Sequence, residues 1–159
     1  MPEYCDIYDI DRNKTGRLHE RGKPDMKEGD CLLVVFVWIT NSDDEFLISK
    51  RVEGIWRGGM WQTTGGIAIA GDNSLSAALR ETKEELGITL AQENGRLVKK
   101  YSEGANLFDV WLFHQEVDIS DVVLQPEETC AVMWASREKI EQLSDEGNFI
   151  SGEPPQTRR

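Results

Sequence analysis

Twenty-three residues in the middle of the chain constrain its fold more than any other stretch. Gly66-Ile67-Ala68-Ile69-Ala70-Gly71-Asp72 is followed, seven residues on, by Arg80-Glu81-Thr82-Lys83-Glu84-Glu85-Leu86-Gly87-Ile88. Leu75, Ala78, Leu79, Thr82 and Leu86 recur at three- and four-residue steps, which predicts a helix over 72–86 with one apolar face. Asp72, Asn73 and Ser74 all suit its N-cap, and Gly87 suits its C-terminal stop. On such a helix Glu81, Glu84 and Glu85 share one edge, and like charges at that spacing cost about a few tenths of a kcal/mol per pair. A hard divalent cation, Mg²⁺ or Mn²⁺, offsets that repulsion, because it prefers carboxylate oxygens and leaves coordination places for a diphosphate. Arg80, four residues before Glu84, suits a guanidinium that fixes a carboxylate's orientation. Gly65 and Gly66 allow backbone to approach the site closely. A merely solvated acidic face is the plain alternative, but it does not account for glycines, arginine and helix stop at fixed offsets from the glutamates.

Around this core the 159 residues and 18.1 kDa fit one domain, 1–159. Residues 1–30 read as a hairpin extension: a loosely alternating segment Glu3–Ile10, a turn cluster at 11–16 and a short return at Arg17–His19. Cys31–Thr40 is continuous, branched and aromatic, a strand buried on both faces, with Glu45–Arg51 as its antiparallel partner after the Asn41–Asp44 turn. Gly54–Gly66 suits a loop beside a short strand. Further strands are expected at 97–101, 107–117 and 128–134, a second helix at 137–143, and a frayed tail at 151–159. Strands that pair antiparallel, interleaved with helices, make the fold class α+β, a sheet between helices.

The charge balance narrows the partners. Lys and Arg number 18 against 29 Asp and Glu, a formal net charge of −11. That excludes a polynucleotide, whose phosphates need a basic face, and disfavours anionic lipid. A small phosphorylated ligand remains open, since a bound divalent cation reverses the local sign. Three widely spaced cysteines, Cys5, Cys31 and Cys130, read as reduced thiols, with Cys130 as a small core residue. The amino terminus shows no secretory pattern and the longest apolar run is too short to span a bilayer. The expectation is a cytoplasmic monomer or homodimer.

Residues 66–88 resemble the Nudix box, G-x5-E-x7-R-E-U-x-E-E-x-G-U with U a bulky aliphatic. Two positions depart from it: Asp72 stands where the pattern has Glu, and Thr82 where it has an aliphatic. The shorter Asp72 serves either the metal site or the helix cap, and Thr82 is expected to pack inward. The resemblance implies an α/β/α sandwich with a mixed sheet, the box forming a loop–helix–loop. It further implies Mg²⁺-dependent hydrolysis of a nucleoside diphosphate linked to another group. Glu81, Glu84 and Glu85 would hold the metal, with the Gly66 carbonyl, and Glu84, Glu85 and Arg80 would serve catalysis. A distant glutamate often takes the proton from water in such enzymes, and Glu127 and Glu128 are the candidates here.

Outside the box, Arg51 at the end of its strand and Arg57 in the glycine-rich loop are candidates to pair with substrate phosphate. Trp56 is a candidate to stack on a base, whereas Trp61 reads as packing under the box loop. His19 and His114 lack partners at ligand spacing and read as structural. Thr15–His19 and Leu47–Arg51 also look like isopentenyl-diphosphate isomerases, which share the architecture but need a cysteine and a histidine before the box helix. Here that loop is Trp61-Gln62-Thr63-Thr64-Gly65-Gly66, with neither. A non-catalytic nucleotide sensor is the third possibility, disfavoured by retention of all three helix glutamates. Five acids and no base between Glu116 and Glu128 have no assigned role at this level.

Overall fold

The computed structural model describes residues 1–150; the expected tail at 151–159 lies outside them. Strand β3, Leu32–Thr40, organises the molecule. Its even and odd residues are both apolar, so it has two faces to bury and a helix lies on each. Along one edge it runs parallel to β8, Asn106–His114, in unbroken register from Leu32↔Asn106 to Thr40↔His114. Along the other it pairs antiparallel with the short β6, Thr64–Ile67, from Val34↔Ile67 to Val37↔Thr64. Strand β7, Gly95–Glu103, closes the far edge against β8.

The expected antiparallel partner of β3 is only partly that. Strand β4, Phe46–Arg51, meets β3 at one pair, Thr40↔Phe46, and then diverges. It pairs instead with β9, Thr129–Ala135, and with the two-residue β5, Trp61–Gln62. Two strands competing for one edge of β3 explain the splay: β6 takes the positions β4 leaves, and the glycine pair of the box rides in on it. The sheet is therefore mixed and opens between β4 and β6.

Helix α1, Ser74–Leu86, covers one face, burying Ala77, Ala78, Thr82 and Leu86 against Val35, Val37, Ile39, Leu47 and Phe113. Asn73, not Asp72, caps it: its Oδ1 accepts from the Ser76 N–H at 2.8 Å, and Ser76 Oγ accepts from the Asn73 N–H in return. Gly87 ends the helix at φ 71°, the left-handed conformation glycine adopts without cost. Helix α2, Arg137–Asp145, covers the other face, where Ile140 and Leu143 join Trp38, Phe46, Ile48 and Val110. The result is the α/β/α sandwich expected. Thr82 is fully buried, as expected, and donates to the Ala78 carbonyl at 2.9 Å, so its hydroxyl is satisfied inside the helix.

Strands β1, Tyr4–Tyr8, and β2, Lys14–Glu20, form a separate antiparallel hairpin. It is tied to the main body where the Tyr8 and Cys31 backbones exchange two hydrogen bonds of 2.8 Å. One expectation fails in detail: Cys130 is exposed on β9, because β9 turns that residue outward while Thr129 beside it is buried. His19 is buried and its Nδ1 bonds Asp25, from the loop after the hairpin. No helix among the described residues is long and apolar enough to cross a membrane.

Candidate active site

Strand β6 and helix α1 bring the box together. The helix edge carrying Glu81 and Glu85 lies against the glycine pair on β6. A Cβ at Gly66 would stand 2.5 Å from the Glu81 carboxyl carbon, and one at Gly65 would collide with the Val35 carbonyl. Only glycine lets β6 pass between β3 and the helix. Glu85 is 7% exposed and accepts the Thr64 hydroxyl at 2.5 Å through Oε1. Thr64 carried no signal in the sequence, because its role depends on a contact spanning 21 residues.

The three glutamates are not equivalent. Glu81 and Glu85 face inward, whereas the Glu84 side chain is 51% exposed. Burial pushes the Glu85 carboxyl up to about 8, against which the Thr64 hydrogen bond is insufficient, and the neighbouring Glu81 and Glu128 raise it further. Burial likewise pushes Glu81 up to about 7, with Arg80 opposing and Glu84 and Glu128 adding. Glu128 thus acts on both buried carboxyls although it is more than 40 residues distant in sequence. Its position follows from the 122–129 segment, which runs along the end of α1: the Val123 N–H donates to the Leu86 carbonyl at 2.8 Å, and the Val52 N–H donates to the Glu128 carbonyl at 3.0 Å. Glu127 is exposed and is not among the main influences on either.

Arg80 is the organising cation. Its Nε and Nη2 donate to Asp72 Oδ2 at 3.2 and 2.9 Å, and its Nη1 donates to Glu81 at 3.1 Å and to Glu84 at 3.3 Å. It also reaches the Ile67 carbonyl at 3.3 Å. Asp72 is therefore not the helix cap, which is Asn73. Asp72 holds Arg80, and it folds the box loop by accepting from the Ile69 N–H at 3.1 Å.

Among the described residues no three His, Cys, Asp or Glu side chains already converge as a ligand set. Glu84 lies on Arg80 rather than beside Glu85. The donors within reach are nonetheless all hard oxygens, and two of them are buried with more negative charge than their surroundings neutralise. That is the environment a divalent cation relieves.

Arg51, Trp56 and Arg57 form a rim. Arg51 Nε donates to the Trp56 carbonyl at 2.8 Å, its Nη1 reaches Gln62 at 3.4 Å, and its backbone pairs with Thr129, next to Glu128. Both guanidinium groups lie over the Trp56 indole, at 5.7 and 5.0 Å, and that indole is 69% exposed. Trp61 packs into the core beneath, as expected. The acidic stretch after β8 resolves into separate tasks: Glu116 accepts the Ser42 N–H at 2.7 Å, Asp118 caps the short 3-10 turn Ile119–Asp121, and Glu128 reaches the site.

A contribution invisible in the sequence comes from the amino-terminal hairpin. Asp6 accepts the Gly71 N–H at 2.9 Å, the Tyr4 carbonyl accepts the Ala70 N–H at 2.8 Å, and Lys14 donates to the Asp72 carbonyl at 3.0 Å. The hairpin thereby satisfies the backbone of the box loop.

Comparison with known proteins gives a consistent placement. The family model for the NUDIX domain matches residues 32–153. The Nudix hydrolase lin0387 of Listeria innocua is 37% identical over 151 residues, covering 93% of this chain and 88% of the relative. Among solved structures, the DR0079 protein of Deinococcus radiodurans superposes with a TM-score of 0.75 at 18% identity, covering 94% of this chain and 93% of that one. A bifunctional NMN adenylyltransferase/ADP ribose pyrophosphatase of Francisella tularensis, complexed with AMP and a manganese ion, gives 0.59 at 20% identity, covering 72% and 37%. A family model spanning most of the chain, and a relative this similar over nearly all of it, make the conclusion direct: the chain belongs to the Nudix family and is a pyrophosphohydrolase.

Proposed function

We propose that the protein hydrolyses a phosphoanhydride bond in a nucleoside diphosphate linked to another group, with Mg²⁺ as its cofactor. The observation that carries this reading is the pair Glu81 and Glu85, buried, short of neutralising charge, and set beside a glycine whose missing side chain leaves the Glu81 carboxylate accessible from the backbone. The structural neighbour from Francisella tularensis, named as an ADP ribose pyrophosphatase, is in keeping with that reading. Glu81, Glu84, Glu85 and the Gly66 carbonyl would hold the metal, all of them hard oxygen donors suited to it. When bound, a divalent cation there would neutralise the diphosphate and lower the pKa of a bound water.

The remaining steps belong to this chain's own groups. Thr64 holds Glu85 Oε1 in one orientation and Arg80, itself anchored by Asp72, holds Glu81, so these two carboxylates are set before substrate arrives, whereas Glu84, resting on Arg80, would turn inward to join them. Glu128, across from the helix, is the group to accept the proton of the attacking water at a carboxylate oxygen. Arg51 and Arg57 would meet the phosphate turned toward the rim, and the exposed indole of Trp56 offers a stacking face to the base. The segment before the box helix, Trp61–Gly66, holds neither the cysteine nor the histidine that the isomerases need, and its polar side chains include Thr63 and Thr64. Both hydroxyls are engaged, to the Val37 carbonyl and Glu85, and neither titrates near neutrality.

The test is Mg²⁺-dependent release of phosphate or nucleoside monophosphate across a panel of nucleoside triphosphates, dinucleotides, nucleotide sugars and isopentenyl diphosphate. Glu84→Gln and Glu85→Gln are run alongside. Turnover of a nucleotide substrate that each substitution lowers by about a hundredfold is the expected result. Isomerisation of isopentenyl diphosphate, or activity indifferent to both substitutions, would overturn the reading.

A further inference from the structure

Beside the first turn of α1, away from the turns that carry Glu81 and Glu85, lies a cavity of about 290 Å³. None of Gly66, Glu81, Glu85, Glu128 or Arg51 lines it. Its apolar wall is Leu33 and Leu107, both at most 5% exposed and neighbours across the parallel pairing of β3 and β8. Its polar rim comes from three elements distant in sequence. The hairpin supplies Tyr8, Arg12 and Lys14; the helix start supplies Asn73 and Ser74; and β7 supplies Lys100. Asp109 completes it.

Most of these polar groups are already engaged. Arg12, at φ 72°, turns inward and pairs with the buried Asp109 at 2.5 Å, and it also donates to the Tyr101 and Phe108 carbonyls. Lys14 bonds Asp6 and the Asp72 carbonyl. Ser74 Oγ accepts from the Trp111 indole at 2.8 Å. Tyr8 is the exception. It is 8% exposed and lines the cavity, and its hydroxyl has no hydrogen-bond partner among the described residues. Lys14 and Asp109, both lining the same cavity, are among the charges that act on that hydroxyl. That hydroxyl is not one of the sealed, unpartnered side-chain atoms of the interior, so it opens into the cavity and is free to bond what occupies it. The space in front of it holds an apolar wall, the exposed ammonium of Lys100, and a helix start whose capping box takes the Asn73 and Ser76 N–H groups and leaves those of Ser74 and Leu75 without a preceding carbonyl to bond.

We infer that this cavity is a second ligand site, separate from the hydrolytic one, which takes a small organic anion: a ring-sized or short apolar body bearing one phosphate or carboxylate. The apolar body lies on Leu33 and Leu107, the Tyr8 hydroxyl donates to the anionic head, and Lys100 with the start of α1 neutralises it. The volume stands at the lower limit of small-molecule sites, which excludes a whole dinucleotide. With Arg12 paired to Asp109 and Lys14 to Asp6, Lys100 is the rim charge left to draw an anion on a chain of net charge −11.

Isothermal titration calorimetry of the full-length protein in EDTA, with phenyl phosphate, benzoate and inorganic phosphate as probes, tests this. Saturable one-to-one binding of phenyl phosphate or benzoate is expected, the tighter of the two identifying the head group, with inorganic phosphate at least about tenfold weaker because it leaves the apolar wall uncovered. Lys100→Glu should weaken the tighter probe by about tenfold or more, and Tyr8→Phe by severalfold, while hydrolysis by Lys100→Glu is unchanged. Binding should survive in Glu85→Gln. The inference is overturned if neither aromatic anion saturates, if Lys100→Glu binds as the wild type does, if inorganic phosphate binds equally well, or if Glu85→Gln abolishes binding.

Discussion

The amino-terminal hairpin and the box helix are both acidic, and their carboxylates are pushed in opposite directions. Asp25, in the loop after the hairpin, accepts the Glu20 N–H and the His19 ring, and these hold its carboxyl below the usual range. Asp30 is held down by Arg17 and by the Lys27 N–H. On Asp6, burial works upward, yet the Gly71 N–H and Lys14 outweigh it and the net direction is down. In the box, burial wins: Glu81 and Glu85 end well above an ordinary glutamate. Both regions carry negative charge. In one it is matched locally by donors the chain provides; in the other Arg80 is shared among Asp72, Glu81 and Glu84 and does not suffice. A matched carboxylate stays charged and holds structure together, whereas an unmatched buried one holds its proton to higher pH, and is the kind of group that the proposed cation would relieve.

That contrast can be broken most forcefully at Glu85. Glu85→Gln is expected to lower kcat by about a hundredfold or more, yet to raise the thermal midpoint of the metal-free protein at pH 9, because it removes a charge the fold cannot neutralise. A loss of both activity and stability would place Glu85 with the matched group. At the matched end, Arg12→Ala leaves Asp109 buried without its partner and should cost about 2 kcal/mol, read by urea denaturation.

Titration sharpens the same division. Glu81 and Glu85 bind their protons more tightly folded than unfolded, so their contribution is complete below the ordinary glutamate value of 4.5 and is lost as pH rises through about 7 to 8. Asp25 and Asp30 behave inversely: their contribution is present above 3.8 and disappears as pH falls through their lowered values. The thermal midpoint in EDTA should therefore decline from about pH 5 to pH 8, and millimolar Mg²⁺ should flatten that decline. A midpoint that rises across this window in EDTA would contradict the account. The smallest effect separates two adjacent glutamates: Glu128→Gln should lower kcat by about tenfold or more with little change in stability, whereas Glu127→Gln should do neither.

The helix and the glutamates it gathers were legible in the sequence because their information is local. The three- and four-residue periodicity, the cap, Gly87 and the three glutamates all lie within one continuous segment, and a helix converts spacing directly into a shared edge. Strand existence was equally legible, but strand pairing was not. Nothing in Glu45–Arg51 shows that β6 displaces it from β3, since that depends on where the chain returns after the loop at 54–60. For the same reason Thr64, Asp72 and Glu128 acquire their roles only in three dimensions, and the inequality of Glu84 with its neighbours reflects burial against β6 rather than any difference in residue type. The exposed Cys130 shows the limit of reading an apolar-looking residue in a strand as core when one side of that strand is open.

The hairpin's grip on residues 70–72 bears on where this protein can be divided. The matched family stretch starts at residue 32, so every contact that Tyr4, Asp6 and Lys14 make with the box loop lies beyond that boundary. A chain cut at Leu32 would keep each glutamate of the box and still lose the donors and acceptors that hold the loop in front of them. The stretch matched by the family model is thus shorter than the contacts that hold the box loop, and a relative aligned over 93% of this chain extends across most of the hairpin as well, so shuffling or grafting of this domain is expected to need its first thirty residues.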